Sequence, residues 1–356
     1  MRVFKPFFIV ALPLLAMPFA AFGDLPADRY DMRYWKLQLP TDDNNDGKAD
    51  EVDVRALQDF SHPDFFYVDD NGYLIFTAPN KATTTANSTN TRSELRQMFR
   101  STNTSIGTKD PKNNFALKAN RFSRNFADVG GGLEATLAVL HVARNARHGG
   151  KRAAFSVVVG QIHADKIDGL NSKGFGYGNE PIKVFYKKLP DHDTGSVFWT
   201  YERNLARDDA DRTDIAYPVW GNTWDSLDDP GEAGIALGEA FNYNINVHEN
   251  IMYLTFRTRD PERTVKYQID LSNNVDAYGN VDEKDNPKGY SGDSLYFKAG
   301  AYNQCSTQDS EKFWYPACAG TGDWETDKAN GDYVSVAFGR LLLSGSVDPL
   351  KQESAE

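Results

Sequence analysis

The chain reads as an all-β sandwich in one domain, on three observations. Stretches of alternating apolar and polar residues recur along its length, the period of half-buried strands. Long amphipathic helices are lacking. No Pro/Ser/Thr-rich linker, internal repeat or low-complexity tract divides residues 24–356.

Residues 1–23 carry Arg2 and Lys5, an apolar run from Phe7 to Phe22, and a small-residue exit at Ala21-Phe22-Gly23. That is the layout of a secretory signal peptide, too short and too broken by Pro13 and Pro18 to span a bilayer. No cysteine sits near the cleavage point, so a lipoprotein anchor is not expected. The expected product is an exported, soluble domain over 24–356. The best helical stretch is short, at 52–60. Leu133, Ala135, Leu137 and Val139 then alternate with polar or small neighbours, as do Met252, Leu254 and Phe256. Val265, Tyr267, Ile269 and Leu271 follow the same rule, and Val334, Val336 and Phe338 close the series.

Both cysteines, Cys305 and Cys318, lie in the exported part, and an oxidising compartment favours a disulfide between them. Neither has the spacing or histidine company of a zinc site. The net charge of −11 becomes −13 once Arg2 and Lys5 leave with the leader (37 basic against 50 acidic residues). No basic run suggests a nucleic-acid partner, and the acidic excess suits solubility. The 42–53 loop places Asp42, Asn44, Asp46, Gly47, Asp50 and Asp53 in the register of a calcium loop. Its last position is Asp rather than Glu and no EF-hand helices flank it, so it reads as a solvated acidic turn, with calcium as the alternative. The 203–240 segment, acidic and rich in Gly and Pro, carries Trp220 and Trp224. It either walls a cleft, with its tryptophans stacking on a ligand, or packs on the sandwich.

Three further strand-like segments carry the chemistry. In Arg92-Ser93-Glu94-Leu95-Arg96 the charged residues share one face. In Gln161-Ile162-His163 the Gln and His do. In the segment from Tyr296 to Gln304, the residues Tyr296, Lys298, Gly300, Tyr302 and Gln304 fall together. Neighbouring strands in one sheet would merge these faces into a floor for an acidic ligand, with groups able to move protons. One conflict stands out. Phe155, Val157 and Val159 have the parity of Gln161 and His163, so either Gly160 marks a parity-resetting bulge or the strand runs from a covered region into an open one.

Singly, each segment has a bland reading: a charge ladder, or the wet face of a strand. Together they resemble polysaccharide lyase family 7, the alginate lyases, whose signature strands read R-S/T-E-L-R, Q-I/V-H and Y-F-K-A/V-G-x-Y-x-Q. All three match without substitution. The resemblance sharpens the sandwich to a β-jelly roll with a concave substrate cleft. It implies an alginate-cleaving enzyme that needs no metal or cofactor. A monomer is expected, and, with no other stretch long and apolar enough to cross a bilayer, no membrane partner.

The chemistry of β-elimination accounts for the residue types. Removing the C5 proton beside a uronate carboxylate requires that carboxylate to be neutralised, a task for the Arg92 fork and the Gln161 amide. His163 is a proton acceptor near neutral pH. Tyr302 donates a proton to the leaving oxygen, or accepts one where adjacent cations favour the phenolate. Arg92, Gln161, His163 and Tyr302 are therefore the expected catalytic set. Arg96, Lys298, Tyr296 and Gln304 are expected to bind substrate, with Glu94 orienting the two arginines. The resemblance implies His as the base on mannuronate, and Tyr as both base and acid on guluronate. It also associates isoleucine between Gln and His, here Ile162, with guluronate-containing or mixed blocks.

Rival classes fit less well. A glycoside hydrolase needs two carboxylates at the scissile bond, and the E-x-D-x-x-E strand of laminarinase-like enzymes is absent. Glu94, flanked by two arginines, should stay ionised and is a poor general acid. A carbohydrate-binding module has no need of the Gln/His/Tyr set. A lyase for another polyuronate shares the catalytic logic and differs only in its subsites.

Overall fold

The computed structural model describes residues 24–146, 153–308 and 317–352; the expected signal peptide at 1–23 lies outside them. Two antiparallel sheets face one another as a β-jelly roll sandwich. The larger runs, in spatial order, through Asp214–Trp220, Ser196–Glu202, Ile182–Lys187, Ser156–Ala164, Leu295–Ser306, Asn90–Gln97, Trp35–Gln38 and Glu51–Val52. The smaller runs through Glu262–Asp270, Ile251–Arg259, Ala240–His248, Gly131–His141, Tyr333–Ser344, Leu74–Pro79 and Phe66–Val68. A short parallel pair, Phe115–Ala116 with Asp128–Val129, attaches to the Leu295–Ser306 strand.

Alternation decides which side chains enter the core. Leu133, Leu137, Met252, Leu254, Val336 and Phe338 are buried, as their spacing predicts. They meet Leu37, Leu95, Val157, Val159, Ile162 and Phe297 from the larger sheet. Each such side chain contributes about 1.5–3 kcal/mol on burial. At the edge strand Glu262–Asp270 the inward Val265 and Tyr267 are only partly covered.

The 52–60 stretch is not a helix of any length. Val52 pairs with Leu37 in an edge strand, and only Ala56–Asp59 forms a single 3₁₀ turn. The Asp53 carboxylate accepts from the Arg55 and Ala56 amides and so nucleates that turn. The longest described helix is Trp324–Asn330, unanticipated from periodicity. Its Asp323 cap accepts from Thr326 N–H at 3.0 Å, and it stops at Gly331 with φ +78°.

The conflict around Gly160 is settled by a bulge. Val157 and Val159 sit in the core, Val158 faces the other way, and Gln161 and His163 then share the face of Val158 and Tyr302. Against the Ile182–Lys187 strand the register slips between Val184, opposite Gly160, and Phe185, opposite Val158. A Cβ on Gly160 would lie 2.3 Å from the Tyr243 hydroxyl. That hydroxyl reaches across the sandwich and donates to the Val159 carbonyl at 3.1 Å. The missing side chain is what lets the second sheet approach and the strand change parity.

Cys305 and Cys318 form a disulfide that pins the end of the Tyr302 strand. The 203–240 segment is not structureless, because Asp214–Trp220 adds a strand to the larger sheet. Neither of its tryptophans is open to stack on a sugar. Trp220, 4% exposed, packs edge-on against Phe241 and Phe256 in the core, and Trp224, 2% exposed, lies against Phe185 and Phe198. In the 42–53 loop the Asp42 carboxylate accepts from the Asp46 and Gly47 amides, and Asp50 accepts from Thr41 Oγ1 and the Asp43 amide. The carboxylates thus stitch the turn itself.

Candidate active site

The strand order brings the three motif strands side by side, with Leu295–Ser306 in the middle. Lys298 sits opposite both Arg96 and Gln161, Tyr302 opposite Arg92, Gly300 opposite Glu94, and Tyr296 opposite His163. Gly300 has φ +147°, and a Cβ there would press on the Ser93 carbonyl oxygen at 2.5 Å. A bare backbone is what fits between Glu94 and its neighbours.

Glu94 is the hub of the floor. At 1% exposed, its carboxylate pairs with Lys298, accepts from Arg92 Nη1 at 3.3 Å and accepts from Gln161 Nε2. Burial opposes its ionisation, but the Lys298 and Arg92 cations hold the carboxyl below the ordinary range. The same burial draws Lys298 down to about 8, with Glu94 resisting the fall. Arg92 is raised: burial acts against its charge, and Tyr302 and Glu94 outweigh it. The expected contact from Glu94 to Arg96 is not made; Glu94 supports Arg92, Lys298 and Gln161 instead.

Arg92 caps the Tyr302 end. Its guanidinium carbon lies 4.0 Å from the centre of the Tyr302 ring, a cation–π geometry, and its Nη2 donates to Ser88 Oγ at 2.8 Å. Ser88 Oγ is also 3.4 Å from the Tyr302 hydroxyl. Gln161 leaves its Oε1 buried with no partner, and Arg92 leaves its Nε so. Beyond Tyr302 the floor turns apolar, with Val158, Phe185 and Phe198 roofed by Trp224.

The other end is a stack. Arg96 lies 3.8 Å from the centre of the Tyr296 ring, and His163 stacks on Tyr296 at 5.3 Å with the planes 9° apart. Arg96 donates to Asn114 Oδ1 at 2.9 Å, to the Gln97 carbonyl at 2.8 Å and to Asp165 at 3.4 Å. Those bonds make it a brace for Tyr296 rather than an open carboxylate clamp. Burial raises the Tyr296 phenol. His163, its side chain 24% exposed, has Nδ1 2.6 Å from the Ala164 carbonyl oxygen and Nε2 3.1 Å from Glu180 Oε1. Gln304 is fully buried and donates its amide back to the Tyr302 carbonyl at 3.1 Å.

The motif residues therefore converge as their alternation requires, while several partners carried no sequence signal. Glu180 and Lys183 reach the site because the Ile182–Lys187 strand becomes a neighbour, while Ser88 and Asp165 lie near Arg92 and His163 in the chain but no pattern marks them. No group of three or more His, Cys, Asp or Glu among the described residues is arranged to hold a metal ion.

A jelly roll whose concave sheet carries this Arg, Gln, His and Tyr constellation is the architecture of a polysaccharide lyase. The chain belongs to the alginate lyase family: the family model described as "Alginate lyase" matches residues 30–344. An alginate lyase of Klebsiella pneumoniae is 36% identical over 309 residues, spanning 84% of this chain and 91% of that protein. The crystal structure of the alginate lyase from Klebsiella pneumoniae superposes with a TM-score of 0.70 at 31% identity, covering 91% of this chain and 99% of that one. The exolytic PL7 alginate lyase of Zobellia galactanivorans gives 0.71 at 33% identity, over 91% and 99% of the two chains.

Proposed function

We propose that the chain is an exported alginate lyase in which residues 24–356 act as one monomeric catalytic domain. It cleaves 4-linked uronate chains by β-elimination, leaves unsaturated oligosaccharides, and favours guluronate-containing or mixed blocks. The observation that carries this reading is the buried carboxylate of Glu94 gathering Arg92, Lys298 and Gln161 on one face of the sheet, with Tyr302 and His163 at either end. Arg92 and the Gln161 amide neutralise the sugar carboxylate, so that charge developing on abstraction of the C5 proton is met by fixed donors. Tyr302 hands a proton to the leaving oxygen at C4. Lys298 adds the local positive charge that a chain of net −13 must concentrate to hold a polyanion (37 basic against 50 acidic residues in 24–356).

Ile162 supports the block preference only indirectly. It is fully buried and points away from the floor, so it acts through the height of Gln161 and His163. Export is supported by the signal-peptide layout of residues 1–23 and by the Cys305–Cys318 bridge. No helix among the described residues is long and apolar enough to cross a membrane.

Cutting from a chain end is favoured by the covered half of the concave sheet. Phe185, Phe198 and Thr200 are fully buried on that face, and Trp224 lies over the two phenylalanines. A polymer running the length of the cleft would meet that wall. The Zobellia galactanivorans neighbour is itself described as exolytic. Initial rates on polyguluronate, mixed and polymannuronate blocks, with product sizes followed in time, test these points together. Fast release of short products from guluronate-containing blocks is expected; a clear preference for polymannuronate would overturn the block assignment, and an early spread of long fragments the end-on mode.

A further inference from the structure

We propose that the concave floor continues past the three motif strands into a further carboxylate subsite, formed by Lys36 and Gln38, which holds the body of the polyuronate while the motif strands cut it. Glu51 occupies this subsite in the ligand-free protein as a built-in competitor. This rests on the lyase reading above. Lys36, Gln38 and Glu51 all lie outside the motif strands.

The strand Trp35–Gln38 borders the motif strands on the open flank of the floor. It pairs with Asn90–Gln97 so that Lys36 lies opposite Arg96 and Gln38 opposite Glu94. Trp35 and Leu37 are buried in the core, so alternation turns Lys36 and Gln38 to the face of Arg92, Glu94 and Arg96. The edge strand Glu51–Val52 extends the row, with Glu51 opposite Gln38. The other flank is closed, because Trp224 lies over Phe185 and Phe198 there. A polymer seated on the motif strands therefore continues over Lys36 and Gln38.

The donors on that strand are already arranged for a carboxylate. Glu51 Oε2 is 2.8 Å from Lys36 Nζ, and Glu51 Oε1 accepts from Gln38 Nε2 at 2.8 Å, so one carboxylate takes both donors, an oxygen to each. A uronate carboxylate presents the same two oxygens. A cation beside a neutral amide is also the pairing that Lys298 and Gln161 make at the motif strands. The two partners differ in how firmly they are held: the Lys36 side chain is 13% exposed, and that of Glu51, at the sheet edge, is 47% exposed. An ion pair with so exposed a partner is weak, and exchanging it for a substrate carboxylate keeps the Lys36 charge compensated. Burial opposes ionisation of Glu51, and Lys36 outweighs it, so the carboxyl stays below its ordinary range and competes as an anion. Only a sugar that carries its own carboxylate takes the place of Glu51; a neutral sugar leaves it where it is.

The test follows KM for size-defined oligoguluronates of increasing length in three proteins. They are the wild type, Lys36→Met, which keeps the stem and removes the charge, and Glu51→Gln, which keeps the shape and removes the competing anion. In the wild type KM should fall once the chain is long enough to cover Lys36. Beyond that length Lys36→Met should show a KM about tenfold higher, the lower end of what a hydrogen bond to a charged group contributes, while shorter chains show no difference. Glu51→Gln should lower KM about threefold on the long chains alone, within the range of an exposed ion pair. A Lys36→Met penalty that is absent, or equal at every length, would overturn the proposal, as would a Glu51→Gln KM unchanged or raised on long chains. If Lys36→Met does not fold, Glu51→Gln, altered at an exposed edge position, decides alone. If no chain yields unsaturated product, the lyase reading fails, and calorimetric binding of the same series still judges the subsite by the same step.

Discussion

Replacing Glu94 with Gln should destabilise the protein by an amount that depends on pH in a defined way. The substitution keeps the shape and removes the anion that pairs with both Arg92 and Lys298, each under 10% exposed. Breaking a buried ion pair by removing one partner costs about 3–5 kcal/mol. Lys298 offers an escape, because burial already holds it at about 8 and loss of the carboxylate lowers it further. Shedding that proton near neutral pH is cheap, so the lower figure of about 3 kcal/mol applies, or roughly 6 °C at about 2 °C per kcal/mol for a large domain. The pH signs follow. Glu94 has a depressed folded pKa, so its contribution exists above the unfolded carboxylate value and is lost as pH falls through the folded one. The Lys298 penalty in the variant fades as pH rises toward the unfolded lysine value. The gap in melting temperature between wild type and Glu94→Gln should thus be widest near neutrality and narrow on both sides. Thermal unfolding of both proteins from about pH 4 to 9.5 measures it. A gap that stays constant across that range, or one below about 1 kcal/mol at pH 7, would refute the assignment of Glu94 as the hub.

Three further outcomes are expected. KM for alginate should rise as pH climbs through about 8, where Lys298 loses its charge, and Lys298→Ala should raise KM mainly and flatten that dependence; steady-state kinetics against pH checks both. Gly160→Ala should lose about 1–3 kcal/mol of stability, because its Cβ meets the Tyr243 hydroxyl at 2.3 Å, and Gly160→Ala with Tyr243→Phe should recover much of that loss in chemical denaturation. Replacing both Cys305 and Cys318 with Ala should cost about 3 kcal/mol in the chain-entropy model, since they stand 13 residues apart in sequence; a denaturation midpoint unmoved by the replacement would show that the bridge contributes nothing.

The strands were legible where one face is buried and one is not, because alternation is then forced. Met252, Leu254 and Phe256 announce themselves in this way; Arg92, Glu94 and Arg96 were legible by their alternating charge, although both faces of their strand are buried. The bulge was visible in the sequence only as a contradiction, the shared parity of Val159 and Gln161, and its resolution needed Tyr243 from the opposite sheet. Within the site, identities were legible and pairings were not. Glu94 was expected between two arginines one strand-step away on either side, but cross-strand Lys298 and Gln161 lie closer to its carboxylate than Arg96 does. Arg96 turned instead to Asn114 and Asp165. Glu180 and Ser88 carried no signal at all, since a lone Glu or Ser acquires meaning only from the strand order that sets it beside His163 or Tyr302. The 52–60 stretch misled because its apolar spacing arises from a strand end followed by a single capped turn. The short helix Trp324–Asn330 escaped notice because it is marked by its caps, Asp323 and Gly331, rather than by an apolar stripe.

The central claim is that this floor performs elimination with Tyr302 carrying the proton. Ultraviolet absorbance of alginate incubated with the purified 24–356 domain tests it most directly, run beside Tyr302→Phe, which removes one oxygen and keeps the ring under Arg92. The wild type should generate the absorbance of a new C4=C5 double bond, and Tyr302→Phe should bind alginate yet generate essentially none. New reducing ends without that absorbance would mean hydrolysis, and near-normal absorbance from Tyr302→Phe would take the proton transfer away from Tyr302.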